Sequence, residues 1–157
     1  MAMLDAGAPA PDFHLEDQHG ERVTLAGLLG KWVVIYFYPR DNTPGCTKEA
    51  CSFRDNFGGI QALGATVLGV SGDSRASHGK FAEKFELPFS LLVDSDHAVA
   101  REYGAFGLKK NYGREYEGII RSTLIIDPEG NVAKTYPRVK PDSHGEEVLA
   151  WLKEHAS

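Results

Sequence analysis

The chain holds two thiols, Cys46 and Cys51, and both fall in the stretch FYPRDNTPGCTKEAC, residues 37–51. A cysteine can pack as a small apolar side chain, ligate a metal, close a disulfide, or act as a nucleophile through its thiolate. The residues around Cys46 bear on that choice. Thr43 suits a helix N-cap, Pro44 suits the first helical position, and Gly45 follows. In that register Cys46 is the third helical residue, among first-turn N–H groups that lack partners, where the helix dipole favours a thiolate. The Thr43 hydroxyl would overhang the same spot, within reach of the sulfur or of an oxygen bound beside it.

Cys51 lies five residues further on. If both residues are helical, their Cα atoms are roughly 8.5 Å apart and their side chains diverge by about 140°. A disulfide needs Cα atoms within about 7 Å, so a bond between them requires a turn to unwind. This argues against a permanent structural disulfide. Metal binding is disfavoured too, because C-x4-C has no second cysteine or histidine pair to complete a zinc site. The six histidines, His14, His19, His78, His97, His144 and His155, are dispersed; most are expected at the surface with no ligand role. The absence of C-x-x-C argues against an ordinary thioredoxin-type dithiol. Simple burial of both cysteines stays open, although a helix that starts after a strand commonly faces the carboxyl edge of an α/β sheet, where sites form.

The elements that must position these thiols can be read along the chain. DFHLED (12–17) and RVTL (22–25) flank a glycine turn and predict a hairpin. WVVIYFY (32–38) is a continuous apolar run, as expected of a strand buried on both faces, and Pro39 ends it. A helix follows, then a second buried strand, ATVLGVS (65–71). SHGKFAEKF (77–85) sets Phe81 and Phe85 at i, i+4 on one helical face. Next come LLVD (91–94), a short helix through AVAREYG (98–104), and FGLKKNYGREYEG (106–118), which reads as a loop. Its Phe106, Tyr112 and Tyr116 could form an apolar collar that admits bulky substrates, or could equally just cover the sheet edge. STLIID (122–127) and VAKTY (132–136) surround the turn Pro128-Glu129-Gly130-Asn131 and predict a second hairpin. HGEEVLAWLKEHA closes the chain as an amphipathic helix, with Val148, Leu149, Trp151 and Leu152 facing inward. Strands alternating with helices, then a hairpin and a helix, predict one α/β domain over residues 1–157, a mixed sheet covered by helices.

Composition narrows the function further. A net charge of −5, with scattered lysines and arginines, lacks the basic face a nucleic-acid binder needs. No window approaches the roughly 20 apolar residues that span a bilayer, and MAMLDAGAPAPDF does not read as a signal peptide. Two cysteines are too few for a secreted disulfide framework, so a cytoplasmic location is expected.

The order Pro39-x-x-x-Thr43-x-x-Cys46 resembles the active-site pattern of the peroxiredoxins. Its continuation through Thr47-Lys48-Glu49-Ala50-Cys51 is similar to the Q-type subfamily, the bacterioferritin comigratory proteins. The likeness runs from APDFHLEDQHGERVTL (10–25), through WVVIYFYP (32–39), to RSTLIID (121–127). The resemblance implies a thioredoxin-like fold with an N-terminal hairpin extension, and reduction of hydrogen peroxide and organic hydroperoxides. It makes Cys46 the peroxidatic cysteine, with Thr43 binding peroxide and sulfur, Arg121 entering from a later strand, and Pro39 shielding the thiolate. Cys51 matches the resolving cysteine found in the same helix in many Q-type members. The disulfide would be recycled by thioredoxin or a similar dithiol, with no metal or organic cofactor. Many members are monomers, so a monomer is expected.

Other readings of the same residues remain. Arg121 could form a surface salt bridge, Pro39 could simply end its strand, and Glu49 could be a solvated helix residue, although the resemblance places a glutamate there near the site. Tyr38 reads as a core residue with a partnered hydroxyl. A non-enzymatic peroxide sensor or redox-dependent binding module would use the same two thiols without turnover.

Overall fold

The computed structural model describes residues 3–111 and 113–156. Its central sheet is built on β3 (Trp32–Phe37), the run that reads as doubly buried. β4 (Ala65–Ser71) and β5 (Ser90–Val93) pair parallel on one side of it, and β8 (Ser122–Ile126) and β9 (Val132–Tyr136) pair antiparallel on the other, giving the order β5-β4-β3-β8-β9. Successive side chains of a strand point to opposite faces, so a strand covered on both must be apolar throughout. Val34 and Tyr36 accordingly face one core layer, while Val33, Ile35 and Phe37 face the other.

The first layer is closed by α1 (Pro44–Ala62), α2 (Arg75–Phe85) and α4 (His144–His155). Phe53 and Ile60 of α1, Phe81 of α2, and Val148 and Leu152 of α4 are buried there. Leu149 and Trp151, also expected inside, are only partly buried against the same cluster, as is Phe85. α1 and α4 meet backbone to backbone. A Cβ on Gly145 would lie 2.3 Å from the Ser52 carbonyl oxygen, so only glycine permits this approach. The second layer is closed by α3 (Ala98–Glu102), through Val99 and Ala100, with Phe13 and Leu25 from the N-terminal segment.

The N-terminal hairpin is present as β1 (His14–Glu16) and β2 (Arg22–Thr24). Asp17 fixes its turn, accepting at one carboxylate oxygen from the N–H groups of His19 and Glu21. Beside it, Gln18 bonds the outer edge of β5: its amide donates to the Phe89 carbonyl at 3.2 Å and accepts from the Leu91 N–H at 2.8 Å. The segment before the hairpin runs along β9, where Val132 bonds both Gly7 and Ala8.

Two expectations are corrected. Residues 106–118 are no loop: β6 (Phe106–Asn111) and β7 (Arg114–Ile119) form an antiparallel ribbon outside the main sheet. Cross-strand hydrogen bonds hold most of it rather than burial, and Leu108 and Tyr116 are exposed on it. Phe106 turns toward α3, stacked on His97 with Arg101 over its ring; Tyr112 lies outside the described residues. The second correction concerns histidines. His14, His19 and His155 are exposed, but His78 and His144 are fully buried, each held through both ring nitrogens.

Candidate active site

Strand register brings the site together. Phe37 at the end of β3 pairs with Ser122 at the start of β8, so Arg121 stands beside the point where the chain leaves β3 for α1. Thr43 is the N-cap of α1, Pro44 its first residue, and Cys46 its third. The first helical bond runs from the Thr47 N–H to the Thr43 carbonyl at 2.8 Å. The N–H groups of Gly45 and Cys46 therefore precede the ladder and are free to face an anion.

Cys46 is 1% exposed, and Arg121 Nη2 donates to its sulfur at 3.1 Å. The same guanidinium donates through Nη1 to Glu49 Oε1 at 2.7 Å. A planar fork with several N–H donors can serve both acceptors at once, which an ammonium cannot do from one position. Gly45 makes room for it, since a Cβ there would lie 3.1 Å from Nη2. Burial opposes the Arg121 charge, but Glu49 and Cys46 outweigh it and hold the guanidinium above its ordinary value.

Glu49 is a correction to the solvated-helix reading, for it is fully buried. Desolvation raises its carboxyl from 4.5 to about 7, against the opposing pull of Arg121. Its second oxygen, Oε2, has no hydrogen-bond partner, which suits a carboxyl that holds a proton near neutrality. Between pH 4.5 and about 7 the folded protein keeps a proton that the unfolded chain has released. Stability from this group is therefore fully present below the lower value and is lost as pH rises through the upper one, by up to about 3 kcal/mol. Relative to Glu49→Gln, the wild-type chain is expected to lose stability as pH rises from 4.5 to 8. Urea midpoints at several pH values measure this; parallel curves for the two proteins would show that Glu49 titrates at its ordinary value.

Thr43 sits at the N-cap without capping the helix. Its hydroxyl donates to the Arg40 carbonyl at 2.9 Å, leaving the oxygen as an acceptor. Pro39 is exposed just past β3. Cys51 is half-buried on the next turns of the same unbroken helix, and both cysteines are free thiols. Lys109 of β6 adds a second cation nearby. Burial and then the charge of Arg121 hold it below its ordinary value, while Cys46 works the other way.

A buried network not foreseen from the sequence fixes the loop before α1. Asp41 accepts from Tyr38 Oη at 2.6 Å, and from Ser77 Oγ and His78 Nδ1 at 2.7 Å each. His78 Nε2 in turn meets the Leu92 carbonyl at 2.9 Å. Contacts at both His78 nitrogens fix the orientation of the ring. Tyr38 thus has the partnered hydroxyl expected of it. Sequence gave no sign that Asp41, Ser77 and His78 converge; the bare Asp-Asn dipeptide after a proline is only a turn signal.

A buried thiol under a guanidinium at a helix N-terminus is equipped to attack an electrophilic oxygen and to stabilise the charge that leaves with it. Known proteins of the same build agree. The pattern of the AhpC/TSA family matches residues 6–135. Peroxiredoxin Bcp of Bacillus subtilis (strain 168) is 50% identical over 151 residues, 96% of each chain. Peroxiredoxin Bcp of Escherichia coli (strain K12) is 44% identical over 156 residues, covering 99% of this chain and all of that one. The bacterioferritin comigratory protein of Xanthomonas campestris, studied for its alkyl peroxide reduction activity, superposes with a TM-score of 0.91 at 40% identity, covering 98% of this chain and all of that one. A cysteine-to-serine mutant of PrxQ from Xylella fastidiosa gives a TM-score of 0.93 at 34% identity, over the full length of both. The chain therefore belongs to the AhpC/TSA family and, within it, to the Bcp/Q-type peroxiredoxins, thiol peroxidases with a thioredoxin-like fold.

Proposed function

We propose that the chain reduces hydrogen peroxide and organic hydroperoxides through Cys46, resolves the product with Cys51, and is recycled by a dithiol reductant of the thioredoxin type. The observation that carries this reading is the contact of Arg121 Nη2 with Cys46 Sγ at 3.1 Å, at the third position of α1. The alkyl peroxide activity of the Xanthomonas relative supports organic hydroperoxides as substrates. One sheet with both faces covered supports a single working domain over 1–157.

The Cys46 thiolate attacks the terminal oxygen of ROOH along the O–O bond. A bond forms between sulfur and that oxygen, the O–O bond breaks, and RO⁻ leaves to take up a proton as ROH. Arg121 and the free N–H groups of Gly45 and Cys46 hold the peroxide and offset the charge on the leaving oxygen, while Thr43 accepts from the peroxide O–H. Cys46 sulfenic acid is the product. The Cys51 thiolate then attacks the sulfenic sulfur, and hydroxide leaves and is protonated to water. Helical spacing holds the two sulfurs too far apart for this, so the first turns of α1 must unwind. A reduced dithiol opens the disulfide by exchange and leaves as a disulfide itself. No metal or organic cofactor enters any step.

Intact mass and free-thiol count after one equivalent of peroxide test the cycle. The reduced chain is expected to lose both thiols and two hydrogen masses, roughly 2 Da, while Cys51→Ser stops at sulfenic acid. Retention of one thiol in the wild-type chain, with a gain of oxygen, would leave Cys46 oxidised but rule out Cys51 as its partner.

A further inference from the structure

On the reading that Cys51 resolves Cys46, we infer that Asp41 and Ser52 are positioning residues for the resolving step. They are the fixed ends of the segment that unwinds, so residues 42–51 move and the chain on either side stays folded.

The N-terminal end is fixed by Asp41. Besides its bonds to Tyr38, Ser77 and His78, its backbone N–H donates to Asp73 Oδ2 at 2.8 Å, and Ser71 Oγ donates to the same oxygen at 2.7 Å. Asp41 is thereby tied to β4 and α2, which take no part in the motion. The next residue, Asn42, is exposed in the left-handed region with φ of 59°.

The C-terminal end is fixed by Ser52, directly after Cys51. Its hydroxyl accepts from the Gly145 N–H at 2.8 Å, and its carbonyl accepts from Asn56 Nδ2 at 2.8 Å. The helix crossing at Gly145 leaves no space for this residue to shift toward α4. His144 anchors that crossing to the sheet by meeting Thr123 Oγ1 at 2.8 Å and packs edge-on against Phe53.

Side chains between the two ends agree with this division. Residues 44–51, PGCTKEAC, include no large apolar side chain; Cys46 and Ala50 are the apolar ones they bury. Phe53 is the first large one, fully buried and stacked on Tyr36 at 4.7 Å between ring centres. Unwinding therefore releases little apolar surface up to Cys51 and much more beyond it. The polar contacts that hold the segment include those of Arg121 to Cys46 and Glu49, with Lys84 Nζ donating to Asn42 Oδ1 at 3.4 Å and Thr43 Oγ1 to the Arg40 carbonyl at its start. Oxidation to an uncharged sulfenic acid weakens the first of these, which ties release to the chemical step. Two fixed ends also keep the Cys51 thiol at high effective concentration near the sulfenic sulfur.

Hydrogen exchange on the reduced and disulfide forms of the wild-type chain tests the ends without a substitution. Protection is expected to fall within 42–55, because the amides of 52–55 lose the carbonyls of 48–51, and to persist in 36–41 and 56–62. In single-turnover experiments, Ser52→Ala is expected to form the sulfenic acid at the wild-type rate. It is expected to close the disulfide about three- to tenfold more slowly, the effect of one lost hydrogen bond, and to accumulate sulfinic acid at lower peroxide. Exchange that spreads past Asp55 or into 36–41 would overturn the inference, as would a Ser52→Ala variant that slows both steps equally or neither. A wild-type chain that oxidises without losing 2 Da would instead overturn the Cys51 assignment on which the inference rests.

Discussion

Replacing Cys46 by serine is expected to abolish peroxide consumption, a loss of about 10⁴-fold or more in turnover, while leaving the fold in place. A serine hydroxyl stays protonated at neutral pH, and its oxygen attacks peroxide oxygen poorly even when ionised, so no base in this site replaces what sulfur supplies. Structural cost is small because serine is no larger than cysteine, and a hydroxyl at the third position of α1 can still accept from Arg121. Peroxide consumption under steady-state conditions and a thermal melt, made side by side, separate chemistry from folding. Residual activity above about 1% with an unchanged melt would move the nucleophile to Cys51 and sink the assignment of Cys46.

Arg121→Met is expected to lower kcat/KM for peroxide by about 10²- to 10³-fold, the range found when one preorganised donor to a developing anion is removed. Methionine preserves much of the length and apolar bulk but removes both contacts, to Cys46 Sγ at 3.1 Å and to Glu49 Oε1 at 2.7 Å. Loss of the guanidinium also removes the influence that lowers the Glu49 carboxyl, so Glu49 stays protonated to higher pH than in the wild-type chain. Arg121→Lys should fall between the two, since an ammonium keeps the charge but cannot bond both acceptors from one place. Rates within threefold of wild type for Arg121→Met would mean that the guanidinium merely lies against the sulfur.

Parts of this site could be read from the chain alone, for local reasons. Thr43-Pro44-Gly45 marks a helix start by side-chain and φ preferences that act within four residues, so the place of Cys46 in the first turn was legible. The apolar run through β3 was legible because a strand covered on both faces has no polar position. Glu49 was not, because its burial depends on Arg121, 72 residues away. A helical glutamate is solvated unless a remote cation meets it, and choosing Arg121 over Arg40 or Arg101 needed the family pattern. In the structure Arg40 is exposed and Arg101 bonds the Asp96 carbonyl. The burial of His78 and His144 among the six histidines could not be singled out for the same reason, since their partners Asp41 and Thr123 come from other elements. The ribbon of β6 and β7 escaped notice because hydrophobic alternation reports burial, and most of this ribbon is exposed.

The first twenty residues have a consequence unrelated to peroxide. An open sheet ends in two rows of unpaired peptide groups, each a template on which a strand from another molecule can grow. Here one short stretch blunts both. The Gly7–Ala8 backbone takes both hydrogen-bonding groups of Val132 on β9, and the Gln18 amide stands in for a peptide unit of a sixth strand against Phe89 and Leu91. At those positions neither border of the sheet can be extended by a neighbouring chain. In the proposed cycle the first turns of α1 open repeatedly, and blunted borders deprive the opened form of ready-made seeds for aggregation.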